Sequence, residues 1–161
     1  MRERLPHSND PARRKRADQQ RHAQAKRRRV AVGIGVVTAL TRGGHVQSAR
    51  AYYAAGNSCE QAVFAAFAGE MGLSLVGALQ AAPRTKDRGS FCGAYRAGAA
   101  VLSKLLRAGA SDAALNEYRR SFLAAFGSVG CAQIKAGRRD CLGVVEETAR
   151  LVDTLIEKYG P

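Results

Sequence analysis

The sequence predicts an all-α protein, a compact up-down bundle of about five to six helices that follows a disordered basic N-terminal tail. Alanine and leucine, which both favour helices, dominate a chain with 6% aromatic residues and no tryptophan. Apolar residues recur at spacings of three and four from residue 46 onward, and no segment alternates with period two for long enough to indicate a strand. The 161 residues therefore divide into a tail, residues 1–42, and a four-cysteine helical domain, residues 43–161.

The tail carries most of the formal net charge of +13, with 12 basic and 3 acidic residues between positions 1 and 42. Residues 1–29 show no apolar period, so we expect them to be disordered. An apolar run follows at residues 30–40, and its 11 residues are too few to span a bilayer. We therefore predict no transmembrane span in the tail.

Three interpretations of the tail stay open. The first is an export signal, because a basic stretch precedes a short apolar run. The second is a start codon placed too early, with Val37 as an alternative start. The third is a tail that binds nucleic acid or another anionic surface. Nucleic-acid binding ranks below the other two, because the tail lacks the interleaved aromatic residues that stack on bases. We expect a cytoplasmic protein, or an exported one if the apolar run is a true signal.

Glycines and capping residues predict the ends of the helices, because serine and aspartate favour helix starts and glycine favours helix ends. A charged loop, residues 84–89, precedes the fourth helix. The predicted helices are 46–55 ending at Gly56, Ser58 to Gly72, 75–82 before Pro83, the Ser90 cap to about Ala108, the Ser111 cap to Gly127, a single turn at 131–136, and the Asp140 cap to Gly160.

The fourth predicted helix has a face of small residues against which another helix can pack closely. Tyr95, Leu102 and Leu106 supply the bulk on its core-facing side. The small residues are Gly93, Ala94, Ala97, Gly98, Ala99 and Ala100.

Four cysteines are the candidate functional residues: Cys59, Cys92, Cys131 and Cys141. They are separated by 32, 38 and 9 residues, so the chain contains no C-x-x-C pair of the zinc-ribbon or thioredoxin type. The three histidines lie at or before the edge of the domain, so a metal site would be built mainly from thiolates. The glycine-rich segments match neither a P-loop nor a dinucleotide-binding motif, and no Ser/His/Asp arrangement is present.

All four cysteines lie at or near predicted helix starts, where free amides and the helix dipole favour thiolate over thiol. Short connections make successive helices antiparallel neighbours, so the helices that begin near Cys59, Cys92 and Cys141 run in one direction. The fifth helix runs the opposite way and ends just before Cys131. The sequence therefore predicts that the four sulfurs meet at one end of the bundle.

Several chemistries fit four clustered cysteines. They could hold zinc or an iron–sulfur cluster, or cycle between dithiol and disulfide. They could also form stabilising disulfides or a structural metal site in a structural or adaptor protein. A shared redox or metal site ranks first, and Glu60 beside Cys59 is retained as a metal ligand or as a partner of one.

The chain resembles the C-GCAxxG-C-C family of four-cysteine proteins. The opening G-Y-N-C-A-Q-A-V of that family is similar to residues 56–63, G-N-S-C-E-Q-A-V, and its C-G-A-x-x-G is similar to residues 92–97, C-G-A-Y-R-A. Its F-G-S segment before the third cysteine is similar to residues 126–128, and its fourth cysteine opens the last helix as Cys141 does. Glu60 and Ala97 depart from the pattern, as does the segment that replaces the usual glycine-rich run before the second cysteine.

The resemblance implies a helical protein with a redox role, often encoded near transporter or oxidoreductase genes. It therefore implies a redox partner protein, or a component of a transporter or an oxidoreductase, as the partner. We expect all four cysteines to act in one redox or metal site.

Overall fold

The computed structural model describes residues 44–83, 91–136, 138 and 140–160. The predicted tail, the loop at 84–89 and the Ser90 cap lie outside these residues. The described residues form helices joined by turns, without a strand, which confirms the predicted all-α fold. The helices are α1 Gly44–Ala54, α2 Cys59–Ala66, α3 Leu75–Ala81, α4 Gly93–Leu105, α5 Ala108–Phe126, the single-turn α6 Cys131–Lys135, and α7 Leu142–Tyr159.

The start of α2 is fixed by its own side chains. The Gln61 N–H donates to Ser58 Oγ, and the Ser58 N–H donates to Gln61 Oε1, each over 3.2 Å. This reciprocal pair is a capping box, and it holds Cys59 in the first turn. The helix ends at Ala66, earlier than predicted, and turns continue to Gly72, whose φ of +65° favours glycine.

The boundary between α4 and α5 differs from the prediction. The fourth helix ends at Leu105 rather than near residue 108, because Leu106 and Arg107 adopt extended backbone angles. The next helix then begins at Ala108, and the predicted cap Ser111 is instead a buried residue of its first turn. The Ser111 N–H donates to the Arg107 carbonyl over 2.8 Å, so the Ser111 prediction is wrong by one helical turn.

The small face of α4 packs tightly against α5 and α7, as predicted. A Cβ added at Gly98 would lie 2.8 Å from Tyr118 Cζ and 3.1 Å from Thr148 Cγ2. Tyr118 also donates its hydroxyl hydrogen to the Tyr95 carbonyl over 3.1 Å, and the two rings stack with centroids 5.2 Å apart. Only a residue without a side chain allows this approach at position 98.

Contacts between side chains give the directions of the helices. Gln61, early in α2, donates to the carbonyl of Leu79, late in α3, so these two helices are antiparallel. Tyr53, at the end of α1, accepts from the N–H of Cys141 at the start of α7. Together with the contact of Gly93 on Cys59, these pairs place the starts of α2, α4 and α7 at one end of the bundle. No helix in the described part of the chain has the length and apolar character needed to cross a membrane.

Candidate thiol site

Each of the four cysteines marks the start of a helix. Cys59 and Cys131 are the first residues of α2 and α6, while Cys92 and Cys141 occupy the cap positions immediately before α4 and α7. The prediction put Cys92 inside the first turn, whereas the structure puts it one position earlier. Its backbone, with φ −60° and ψ 130°, is extended as a cap residue requires.

Backbone hydrogen bonds bring the cysteines together. The Cys92 N–H donates to the Val129 carbonyl over 2.7 Å, which fixes Cys92 beside the turn that leads to Cys131. The Ala94 N–H lies close enough to the Cys59 thiol to lower its pKa, against the larger effect of burial. This contact depends on Gly93, because a Cβ at that position would lie 2.8 Å from Cys59 Sγ.

The four sulfurs are close enough for their charges to interact. Thiolates at Cys141 and Cys131 each raise the pKa of Cys59, and thiolates at Cys59 and Cys131 raise that of Cys92. Cys131 also raises the pKa of Cys141. The structure therefore assembles all four cysteines at one end of the bundle.

The cysteines are free thiols, and no disulfide joins them. Within the described residues, no group of three or more His, Cys, Asp or Glu side chains is arranged to hold a metal ion.

The four thiols differ in access to solvent. Cys92 and Cys141 are buried, while Cys59 and Cys131 are partly exposed and line a common cavity of about 590 Å³. A molecule that enters this cavity therefore meets the thiols of Cys59 and Cys131. The cavity is lined by Ser58, Cys59, Glu60, Gln61, Ala82, Pro83, Phe91, Gly93, Arg96, Cys131 and Lys135.

Burial, rather than the helix dipole, determines the ionisation of these thiols. It raises the pKa of Cys92 to about 11, although the N–H groups of Tyr95 and Ala94 oppose the rise. Burial also raises the pKa of Cys59, where the Ala94 N–H opposes it, and that of Cys141, where the charge of Lys135 opposes it. The prediction that the helix starts favour thiolate is therefore wrong for these three residues.

Glu60, singled out by its place beside Cys59, forms an ion pair with Arg96 of α4. Both side chains are less than one-fifth exposed, so the pair is largely shielded from water. Arg96 also donates to the Pro83 carbonyl over 3.4 Å. Burial lowers the pKa of Arg96, while the charge of a Cys59 thiolate raises it, so the guanidinium lies within electrostatic reach of that sulfur.

Arg96, Lys135 and Phe91 were missed by the sequence analysis. Arg96 and Lys135 each follow a cysteine by four residues, and residues four apart lie on the same side of a helix. This spacing was the available signal for both cations. The sequence held no comparable signal for Phe91, which lines the cavity with half of its surface exposed.

A family model matches most of the helical domain. It is the model described as "Putative redox-active protein (C_GCAxxG_C_C)", and it matches residues 57–155, which include all four cysteines. The chain belongs to this C_GCAxxG_C_C family. Membership confirms the resemblance found in the sequence, and it places Cys59, Cys92, Cys131 and Cys141 within the matched region. Comparison with curated proteins and with solved structures found no match.

Proposed function

We propose that this protein is a thiol–disulfide redox protein that donates electrons to a disulfide substrate. One observation carries the proposal: four free thiols gather at one end of the bundle, and two of them, Cys59 and Cys131, line a cavity that a substrate can enter. The other two thiols, Cys92 and Cys141, are buried.

The reaction takes two steps. A cavity thiol loses its proton and attacks one sulfur of the substrate RSSR, which forms a mixed disulfide and releases RS⁻; this product takes up the proton as RSH. A second protein thiol then attacks the protein sulfur of the mixed disulfide and releases the second RSH. Two electrons and two protons pass from the protein to the substrate, and the protein retains one disulfide.

The pKa shifts favour this direction of electron flow. A strongly oxidising disulfide owes its potential to a stabilised thiolate in the reduced protein. Burial has the opposite effect here, because it raises the pKa of Cys59, Cys92 and Cys141 and so disfavours their thiolates. We therefore assign the protein to the reducing side of the exchange.

Of Cys59, Cys92 and Cys141, Cys59 is the best placed for the first attack on the substrate. It is partly exposed, the Ala94 N–H lowers its pKa against the effect of burial, and Arg96 lies within electrostatic reach of it. Each of these features favours its thiolate relative to that of the buried Cys92.

The test is the kinetics of oxidation of the reduced protein by a small neutral disulfide, with remaining thiols counted by alkylation and mass spectrometry. We expect wild type to lose thiols in pairs and each substitution Cys59→Ser and Cys131→Ser to slow the first step. Four silent single substitutions would contradict the proposal.

Metal analysis of protein purified without oxygen supplies an independent check. Zinc or iron at one equivalent, lost on substitution of any single cysteine, would show a ligand site in place of the exchange reaction. We expect less than stoichiometric metal in wild type and in all four serine variants.

A further inference from the structure

We infer that the substrate is a small disulfide that carries carboxylate groups, and that Lys135 selects it. The inference rests on the proposed thiol–disulfide function and adds the substrate class. It follows from the size of the cavity that contains Cys59 and Cys131 and from the charges on its walls.

The cavity has the dimensions of a small-molecule site. Its volume of about 590 Å³ falls within the range of roughly 300–1,000 Å³ that ligand pockets occupy. Phe91 and Pro83 provide apolar wall, while Ser58 and Gln61 provide polar atoms. A disulfide with short arms fits such a space, whereas a folded partner would have to reach the thiols with an extended segment.

The charged groups of the described lining leave a net positive charge. Among the residues that the structure describes, three charged side chains line the cavity: Glu60, Arg96 and Lys135. The carboxylate of Glu60 is paired with the guanidinium of Arg96, so their charges offset each other. Lys135 supplies the remaining charge, and none of the ion pairs between described residues includes it.

Lys135 lies near the Cys141 thiol as well as in the wall of the cavity. Its charge lowers the pKa of Cys141, against the larger effect of burial, so the ammonium lies within electrostatic reach of that sulfur. The side chain is itself exposed, with freedom to meet an incoming carboxylate. Because Lys135, Cys59 and Cys131 line the same cavity, a disulfide whose carboxylate meets this ammonium enters the space that contains both thiols.

The positive surface continues beyond Phe91. Phe91 and Arg96 also line a second cavity of about 340 Å³, together with Tyr95, Arg119 and Val129. Arg119 therefore adds a cation to the wall of this second cavity, which shares Phe91 and Arg96 with the first. A net charge of +13 for the whole chain attracts anions more generally.

The reaction with this substrate is balanced as follows. A dicarboxylate disulfide accepts two electrons and two protons from two protein thiols. Its S–S bond breaks, it leaves as two carboxylate-bearing thiols, and one S–S bond forms in the protein. A separate thiol reductant must then reduce the disulfide formed in this protein, so that the dithiol is restored after each turnover.

Three probes of similar size test the inference: 3,3′-dithiodipropionate, which is anionic, 2-hydroxyethyl disulfide, which is neutral, and cystamine, which is cationic. The second-order rate of thiol loss from the reduced protein is measured for each probe at low salt and near neutral pH. Because the probes differ in intrinsic reactivity, the quantity compared is the ratio of the wild-type rate to the variant rate for the same probe.

Lys135→Gln is the test variant and Lys104→Gln is its matched control, because Lys104 is exposed on α4 and lines none of these cavities. We expect Lys135→Gln to slow the anionic probe by about two- to fivefold more than it slows the neutral probe. Lys104→Gln should leave both rates unchanged, and Lys135→Arg should restore the anionic rate.

The outcomes separate this inference from the function on which it rests. If all three probes oxidise the protein and Lys135→Gln behaves as Lys104→Gln does, the substrate class is wrong and the exchange function stands. If no probe oxidises the wild-type thiols, the exchange function itself fails.

Discussion

The thiol end of the bundle and the end that carries His45 use raised pKa values for opposite purposes. They lie about 18 Å apart along α7, from Cys141 to Asp153 at about 1.5 Å per residue. At the thiol end, burial raises the pKa of Cys92 to about 11 and keeps the group neutral. At the other end, the pKa of His45 rises to about 9, which keeps the imidazole charged at neutral pH.

The neighbours of each group explain the difference. His45 Nδ1 lies 2.5 Å from Asp153 Oδ1, its Nε2 lies 2.7 Å from Glu70 Oε1, and its ring stacks on Phe67 with centroids 4.1 Å apart. The hydrogen bond to Asp153 raises the pKa more than burial lowers it. Burial favours the neutral form of each group, and at His45 two carboxylates in direct contact reverse the result.

The two ends of the bundle are suited to different roles. Two carboxylates hold His45 as a cation that joins α1 to α7 and to the turn after α2, so this end acts as a fixed clamp. The four cysteines are free thiols, and none of the ion pairs between described residues includes them. The free thiols and the ion pairs of His45 therefore lie at different ends of the bundle.

The largest effect is expected for Glu60→Ala, which would leave Arg96 as a largely buried charge without its partner. We expect the free energy of unfolding to fall by about 2–4 kcal/mol, slightly below the cost of breaking a fully buried pair. Urea denaturation of wild type and of Glu60→Ala measures this difference in the free energy of unfolding.

The matched control for this loss is Glu147→Ala, which removes the ion pair with Arg150, a side chain that is more than half exposed. It should cost about 0.5 kcal/mol or less, because solvent screens an exposed pair. Equal losses for the two variants would show that the Glu60–Arg96 pair is not shielded from water.

Cys92 should make stability fall with rising pH between about 9 and 11. Its folded-state pKa lies above the unfolded value, so the unfolded chain releases its proton first and stability is lost as pH climbs through that window. The expected loss is about 2–3 kcal/mol relative to Cys92→Ala. Unfolding curves of both proteins at several pH values measure it, and parallel pH profiles would contradict the shift.

His45 should make stability fall in a lower window, between about pH 6.5 and 9. Its raised pKa means that the contribution is complete below 6.5 and is lost as the imidazolium releases its proton in the folded protein. We expect about 1–2 kcal/mol after allowance for solvent screening, because the side chain is about one-quarter exposed. The loss should disappear in His45→Gln, and a fall that survives this substitution would belong to another group.

The sequence was sufficient to predict the start of α2 and the directions of the helices that begin near the cysteines. Capping residues such as Ser58 act locally, and the direction of each helix follows from short connections, so Cys59, Cys92 and Cys141 could be brought to one end without knowledge of packing. The return of α3 past α2, shown by the Gln61–Leu79 hydrogen bond, is the step that this prediction required.

The ionisation of the thiols and their partners could not be predicted in the same way. The dipole at the start of α4 is a local property, whereas the burial of Cys92 depends on how α4 packs against other elements. The pairing of Glu60 with Arg96 likewise joins two helices, and the early start of α5 overrides the serine signal at position 111.

The most direct test of the central claim is an equilibrium redox titration of the purified protein in dithiothreitol buffers of graded potential, with alkylation and peptide mapping at each point. We predict that two thiols per chain change together as a two-electron couple, and that the disulfide formed contains Cys59 or Cys131. Four free thiols at every potential would contradict the account, as would a disulfide confined to Cys92 and Cys141.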